Sequence, residues 1–430
     1  MSSQSNSQPW PAPQSRGPLK AQIKLPGSKS LNNRELVLSA IAQEPTMLSG
    51  ALESRDSALM IKALKTLGTK IEAVGPGTLL ITPGPLSATG AIDCGLAGTV
   101  MRFLPPLATL AEGKVLFDGD LSARKRPMKT TIDSLKKLGI EIEPTDAVSL
   151  PFSVKSSGKV LGGELEIDAS ASSQFISGLL LVAAKFENGL VLRHVGEHLP
   201  SMPHIDMTID CLQKRGVKAT RVNETTWKVE PGIVSGGEIQ IEPDLSNAGP
   251  FLAAAMVSGG EVVVENWPDK TTQVGNDFDG ILQQMGAVIS RVSGNLKISG
   301  TGEINGIDID LSTGGELTPV IAALGALAKT KTTIRGVAHL RGHETDRLSA
   351  LVSEINSIGG KATETPDGLI IEPSTLHGGL WKTYEDHRMA TAGAIIGLRV
   401  PGIEIEDVTV TSKTMPDFVL LWNKMLEGKS

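Results

Sequence analysis

The sequence predicts an α/β protein of two lobes, each built from three copies of one unit. Three observations lead there. A short alternating strand runs into a Gly/Ser loop and then an apolar helix six times, and the polar residue opening each helix recurs at Ser30, Thr99, Ser172, Ser246, Glu316 and Asp386, 69 to 74 residues apart. An offset series of amphipathic helices ends in a glycine before a strand, at Gly68, Gly139, Gly216, Gly286, Gly360 and Gly428. Finally, 430 residues are too many for one ordinary core, and six units divide into three plus three.

Each unit reads strand, loop, apolar helix, strand, amphipathic helix, strand. The first strands AQIKLPG, GAIDCGL, ELEIDAS, EIQIEPD and GIDIDLS alternate as half-buried strands should, whereas the sixth, LWKTYED, matches poorly. The apolar helices NRELVLSAIA, GTVMRFLPPLATLA, SQFISGLLLVAAKF, AGPFLAAAMV, LTPVIAALGALA and HRMATAGAIIGL are apolar nearly all round, so they belong inside each lobe. The second helices, such as SALMIKALKTLG and MPDFVLLWNKMLEG, carry a polar face and are expected to form sheet-facing or outer layers. Pro250 and Pro319 fall in first turns, where a missing N–H costs little; Pro105 and Pro106 predict a kink or an early break. The lobe boundary falls near residue 240, where GGEIQIEP begins a new unit. Residues 1–18 are rich in Ser, Gln and Pro and lack the apolar core of a signal peptide; a mobile tail and a cytoplasmic protein are expected.

Aromatic residues make up 3% of the chain, with one tyrosine, so Ala, Val, Ile and Leu must fill the cores. A net charge of −6 argues against nucleic acid or an anionic membrane as the main partner. No apolar run is long enough to span a bilayer. Cys94 and Cys211 stand far apart and read as buried thiols in a reducing compartment. There is no HExxH, no CxxC and no clustered ligand set, so no metal is expected. PGSKS lacks the GxxxxGKS spacing, no GxGxxG follows a strand, and GxSxG is absent, which disfavours nucleotide cofactors and serine-hydrolase chemistry.

Although the whole chain is acidic, the loops opening the apolar helices are basic: Lys29 and Arg34, then Arg102, then Arg124, Lys125, Arg126 and Lys129, and later Arg341, Arg347, Arg388 and Lys413. Hydroxyl and amide donors (Ser30, Thr99, Ser172, Ser173, Gln174) are interleaved with them. Any one of these cations is ordinarily a solvated charge, and any one serine or threonine a plain N-cap. Their recurrence at one place in the unit is the signal. If the lobes face each other by their helix N-termini, dipoles, donors and cations converge on one cleft suited to small substrates bearing phosphate or carboxylate groups. Glu316, Glu344 and the triplet Asp386–His387–Arg388 are the acid–base candidates in the same loops; beside cations a carboxylate acts as a base, and acid duty requires burial or ligand charge. His204, His339, His343 and His387 are loop-placed, while His194, His198 and His377 read as structural.

The ordered segments LPGSKSLNNR, LAGTVMRFLPP, DGDLSARKRPM, SASSQFISGLL, RGHETDRL, YEDHRMA and TSKTMPDF resemble the enolpyruvyl transferases, and among them the branch that acts on shikimate 3-phosphate. The resemblance covers essentially everything after the first 18 residues. It implies two lobes of βαβαββ units, an inside-out α/β barrel arrangement closing by a hinge, with residues 28–240 in one lobe and 19–27 plus 241–430 in the other. It implies transfer of the carboxyvinyl group of phosphoenolpyruvate to the 5-hydroxyl of shikimate 3-phosphate, release of phosphate, no cofactor, and a monomer. By the resemblance, Lys29, Ser30, Arg34, Ser172, Ser173, Gln174, Ser201, Glu316 and His343 contact shikimate 3-phosphate. Lys29, Gly98, Arg126, Gln174, Arg347, Arg388 and Lys413 surround phosphoenolpyruvate, and Lys29, Glu316, Glu344 and His387 are catalytic. The chain departs from the common pattern at Leu96 (asparagine), His204 (tyrosine), Glu316 (aspartate), His339 (asparagine) and His343 (lysine). A rival within the family acts on UDP-N-acetylglucosamine and carries a cysteine where Leu121 stands here. A non-catalytic anion-binding protein of the same fold is the other alternative.

Overall fold

The computed structural model describes residues 8–428, in two compact units. One unit is Pro26–Glu242; the other joins the described residues up to Leu25 with those from Pro243 onward. Twelve helices run through the described residues. The first unit holds α1 (Lys29–Ala40), α2 (Arg55–Thr66), α3 (Gly98–Ala108), α4 (Lys129–Lys137), α5 (Gln174–Val182) and α6 (Met202–Lys214). The second holds α7 (Leu245–Ser258), α8 (Phe278–Gln284), α9 (Thr318–Ala326), α10 (Arg347–Ser357), α11 (His387–Gly397) and α12 (Phe418–Leu426).

The odd-numbered helices are the apolar ones, and they are buried almost throughout. Within the first unit α1, α3 and α5 pack on one another, and within the second α7, α9 and α11 do the same. Each triplet forms the heart of its own hydrophobic core, rich in Leu, Ile, Val and Ala. The even-numbered helices bury one face only.

Among the described residues each unit carries three sheets, and five of the six follow one plan. Ser87–Asp93 pairs in parallel with Glu112–Asp118, with α3 as the crossover between them; Phe152–Ser157 and then Glu141–Glu143 add on antiparallel. Gly163–Ile167 and Leu190–His194 repeat the plan around α5. Two strands are exchanged. Leu19–Ile23, just before α1, pairs in parallel with Gly260–Val264, whereas Gly237–Gln240, just before α7, pairs in parallel with Thr46–Ser49. Each of these strands sits in one unit while the helix it leads into belongs to the other.

The helix-ending glycines take the left-handed conformation at Gly68, Gly139, Gly216, Gly286 and Gly428, with φ between 66° and 109°. That region strains a residue bearing a Cβ, which is why glycine recurs there. In the fifth unit Gly359 (φ 89°), not the expected Gly360, fills the role.

Four other expectations are corrected. Of the six polar residues expected to open the apolar helices, Asp386 is an N-cap, accepting from Arg388 N, whereas Ser30, Thr99 and Ser246 lie inside the first turn behind Ser28, Ala97 and Asp244. Helix α3 passes through Pro105 and Pro106 and stops at Ala108, so the prolines shorten it instead of breaking it. Pro250 lies in the second turn of α7, because Asp244 caps that helix earlier than its apolar stretch suggests. The fourth concerns the mobile tail expected over residues 1–18. Residues 1–7 lie outside the described residues, but Trp10–Pro11 pairs antiparallel with Ile403–Ile405, itself parallel to Gly379–Trp381. Ala12 is buried and donates to Ile403 O at 2.9 Å, Ser15 N reaches Leu398 O at 3.0 Å, and Trp10 sits edge-on to Phe418. The opening segment thus holds on Ile403–Ile405 the antiparallel place that Phe152–Ser157 holds on Glu112–Asp118.

Both cysteines are buried free thiols whose pKa values burial pushes up, which leaves them unreactive. Among the described residues no helix is long and apolar enough to cross a membrane, and no group of three His, Cys, Asp or Glu is placed to hold a metal ion.

Candidate active site

In the first unit the N-terminal turns of α1, α3 and α5 meet. Asn33 of α1 donates to Thr99 Oγ1 of α3 at 2.7 Å, Arg34 of α1 reaches Ser177 Oγ of α5 at 3.3 Å, and Arg102 of α3 reaches Gln174 Oε1 of α5 at 3.4 Å. Three helix dipoles therefore point their positive ends to one pole, where anions are favoured. Around that pole lie Lys29, Ser30, Gly98, Ser172 and Gln174. Arg126 comes from the loop after the short 3-10 turn Ala123–Lys125; its Nη1 donates to Leu96 O at 3.2 Å, and its Nε is buried with no protein partner among the described residues. A methyl group built on Gly98 would lie 2.9 Å from Arg102 Nη1, 3.1 Å from Gln174 Oε1 and 3.3 Å from Arg126 Nη1. Gly98, Arg102, Arg126 and Gln174 are thus brought together.

Lys29 Nζ stands 3.6 Å from the buried carboxylate of Asp56. Ser172 Oγ accepts from Gln174 N, while Ser173, at the N-cap of α5, is itself buried. Ser201, the N-cap of α6, is held in the left-handed region at φ 54°. Arg34, expected at the substrate, is 2% exposed and spends most of its donors on the protein: Nε on Thr208 Oγ1, Nη1 on Ser30 O, and Nη2 on His204 O and Ser177 Oγ. It ties the start of α6, and so Ser201, to α1 and α5.

In the second unit the starts of α7, α9 and α11 meet in the same way. Ser246 Oγ of α7 donates to Glu316, which precedes α9 and lies 3.9 Å from the Arg388 guanidinium of α11. Arg347, the first residue of α10, is the hub of a second group. Its Nε donates to Asp386 Oδ2 at 2.7 Å and its Nη2 to Glu344 Oε2 at 3.0 Å, while Lys413 Nζ donates to Glu344 Oε1. Burial works against the Arg347 charge, but Asp386 and Glu344, with Glu316 beyond, outweigh it and hold its pKa above the ordinary guanidinium value. Arg347 Nη1 also lies 3.2 Å from His343 Nδ1. A guanidinium only donates, so Nδ1 accepts and the proton of the neutral ring sits on Nε2. The His339 ring packs 5.8 Å from that of His343, against Gly315. His387 is buried beside Asp386, with Nδ1 3.7 Å from Oδ1.

Each unit therefore carries a cluster at the shared N-terminal pole of its three inner helices, one dominated by cations and hydroxyls, the other by alternating carboxylates and cations. The sequence profile of EPSP synthase (3-phosphoshikimate 1-carboxyvinyltransferase) matches residues 13–422. The chain belongs to the EPSP synthase family. A 3-phosphoshikimate 1-carboxyvinyltransferase of Kocuria rhizophila is 52% identical over 428 residues, covering 97% of this chain and 96% of that protein. The EPSP synthase of Acinetobacter baumannii superposes with a TM-score of 0.81 at 26% identity, over 97% of this chain and 98% of its own. The enolpyruvyl transferase NikO of Streptomyces tendae shares the fold, with a TM-score of 0.77 at 15% identity and 96% of both chains covered.

Beyond the residues expected in an EPSP synthase family member, the structure brings in Asn33, which the sequence reading passed over. It also gives partners to Arg102 and Asp386, read from the sequence as a loop cation and an acid–base candidate: Gln174 for the one and Arg347 for the other. Arg102 sits in an otherwise apolar helix, 2% exposed, with its guanidinium over the Phe175 ring and on Pro127 O.

Proposed function

We propose that the two clusters serve one reaction, transfer of the carboxyvinyl group of phosphoenolpyruvate to the 5-hydroxyl of shikimate 3-phosphate with loss of phosphate by addition and elimination. The supporting observation is the Arg347–Glu344–Lys413 arrangement: a carboxylate held between two cations that an incoming phosphoenolpyruvate would itself claim.

The chemistry needs an acid at the methylene carbon and a base at the attacking hydroxyl. Without ligand, Lys413 and Arg347 neutralise Glu344 and favour its charged form. A bound phosphate or carboxylate draws those cations away and adds a negative charge nearby, so Glu344 takes up a proton and becomes the acid that donates to the methylene carbon. Positive charge then develops at the adjacent carbon, where the shikimate oxygen attacks. Glu316, oriented by Ser246 and Arg388, takes the hydroxyl proton. Collapse of the adduct returns the methylene proton to Glu344 and expels phosphate, which Lys29 and the cationic pole of the first unit stabilise.

Binding divides along the same lines. Arg126, Gln174, Arg347, Arg388 and Lys413 hold phosphoenolpyruvate, with Gly98 leaving room beside Arg126 and Gln174. Lys29, Ser30, Ser172, Ser173, Gln174 and Ser201 hold shikimate 3-phosphate, with His343 offering its Nε2–H as a neutral donor. Arg34 and His387 act through what they position, Ser201 and Asp386 respectively. The protein works as a cytoplasmic monomer without a cofactor.

The test is phosphate release from phosphoenolpyruvate, expected only when shikimate 3-phosphate is supplied. Release driven equally well by UDP-N-acetylglucosamine would overturn the assignment, and binding of both anions without turnover would favour a non-catalytic protein.

A further inference from the structure

The strand Gly379–Trp381 leads into α11 through Lys382, Thr383, Tyr384 and Glu385, and the middle of that connection is strained. Tyr384 (φ 53°) and Glu385 (φ 56°) are consecutive left-handed residues without a glycine between them. Such a pair persists only where the surroundings over-determine it. Here two carboxylate acceptors do so, one of them buried. Glu354, 3% exposed, takes the backbone N–H of Lys382 on Oε2 at 2.9 Å and the Tyr384 hydroxyl on Oε1 at 2.6 Å. Glu406 Oε2 takes the N–H of Thr383 at 3.0 Å. The Tyr384 phenol keeps its proton well above the ordinary range because burial and the Glu354 hydrogen bond both disfavour its anion.

The strain falls where it matters for aim. Asp386 comes directly after, caps α11 and binds Arg347; Arg388 lies in the first turn of that helix and faces Glu316. Glu354 lies two turns along α10 from Arg347, so one helix grips the connection twice, at Asp386 and at Tyr384.

We propose that Glu354 and Tyr384 are positioning residues for Arg388: their hydrogen bond holds the left-handed turn that fixes where α11 starts and so where the Arg388 guanidinium points. This rests on the reading of Arg388 as a phosphoenolpyruvate ligand. Tyr384→Phe keeps the ring and removes only the hydroxyl; Glu354→Gln removes one of the two acceptors. Each is expected to raise KM for phosphoenolpyruvate about five- to twentyfold while changing KM for shikimate 3-phosphate less than twofold. Adding Glu385→Gly, which allows φ near +56° without strain, is expected to restore most of the loss in the Tyr384→Phe background. Since Tyr384 is the sole tyrosine, its ionisation can be followed by ultraviolet absorbance. It is expected to move down toward the ordinary phenol range in Glu354→Gln.

An unchanged KM for phosphoenolpyruvate in both folded variants would overturn the proposal, even if their melting temperatures fell. So would failure of Glu385→Gly to rescue Tyr384→Phe. If Glu354→Gln does not fold, Tyr384→Phe decides alone. Absence of turnover by the unaltered chain would instead sink the reading of the reaction.

Discussion

A methyl group at Gly98 separates binding from stability. The backbone there is ordinary helix, so Gly98→Ala relieves the conformational entropy that glycine carries in a helix and gains up to about 0.5–1 kcal/mol of stability. The added Cβ, however, meets Arg102 Nη1 at 2.9 Å, Gln174 Oε1 at 3.1 Å and Arg126 Nη1 at 3.3 Å. Arg102, though buried against Pro127 O and the Phe175 ring, stands closer than a Cβ tolerates, so its guanidinium must shift and disturb its contact with Gln174. Arg126 and Gln174, only half-buried, must move by a few tenths of an ångström. Losing the good geometry of one hydrogen bond between a cation and an anion costs about 1.5 kcal/mol, or roughly a tenfold weaker interaction. The expected outcome is a roughly tenfold higher KM for phosphoenolpyruvate, an unchanged KM for shikimate 3-phosphate and a melting temperature no lower than before. Steady-state phosphate release and thermal unfolding measure all three. A KM within twofold of the parent, or a parallel rise for both substrates with lost stability, would refute the reasoning.

Three further outcomes rest on named contacts. Glu344→Gln should lower kcat about 10²- to 10³-fold without raising KM for phosphoenolpyruvate, because the substitution removes the proton carrier and also a negative charge from an anion site; unchanged turnover would remove Glu344 from proton transfer. Arg215→Met leaves Glu35 buried without the guanidinium that now binds it at 2.7 Å, which should cost about 3–5 kcal/mol in urea unfolding. Glu35→Leu in the same chain should recover most of the deficit, because it removes the stranded buried carboxylate; a double variant no more stable than the single one would contradict this. Truncation after Ser15 bares the edge of the sheet at Ile403–Ile405 and should lower the melting temperature by several degrees, so an unaltered melting curve would mean that Trp10–Pro11 contributes nothing.

The sixfold plan was legible because it is written locally. An all-apolar helix and a glycine needing a left-handed backbone can each be read within a dozen residues, and their recurrence gave the units and the inner helices. What escaped was decided by distant partners. Ser30 and Ser246 carry the right residue type for caps, but Ser28 and Asp244 stand just upstream, and only the backbone tells which one opens the helix. The strand Gly237–Gln240 alternates as it should wherever it pairs, so the segment itself does not reveal its partner, Thr46–Ser49. Trp10–Pro11 is too short to show a period, and its partner lies at the far end of the chain. In the site, the cations and carboxylates were visible as a cluster of charge. The sharing of Arg34 among Ser30, Thr208, Ser177 and His204 was not, since it depends on three helices meeting.

The exchange of Leu19–Ile23 and Gly237–Gln240 has a consequence for how the molecule comes into being. As the chain leaves the ribosome, Leu19–Ile23 emerges early but has no neighbour until Gly260–Val264 has been made, and Trp10–Pro11 waits longer still, for Ile403–Ile405. The unit Pro26–Glu242 is one continuous stretch that holds all three of its sheets, whereas the other unit is completed by residues from both sides of it. Maturation of that second unit is therefore gated by completion of translation, and long-separated pairing of this kind makes the last steps slow. A circular permutant that opens the chain between Leu25 and Pro26 and joins the old ends should make the second unit continuous as well, so that each half finishes in turn.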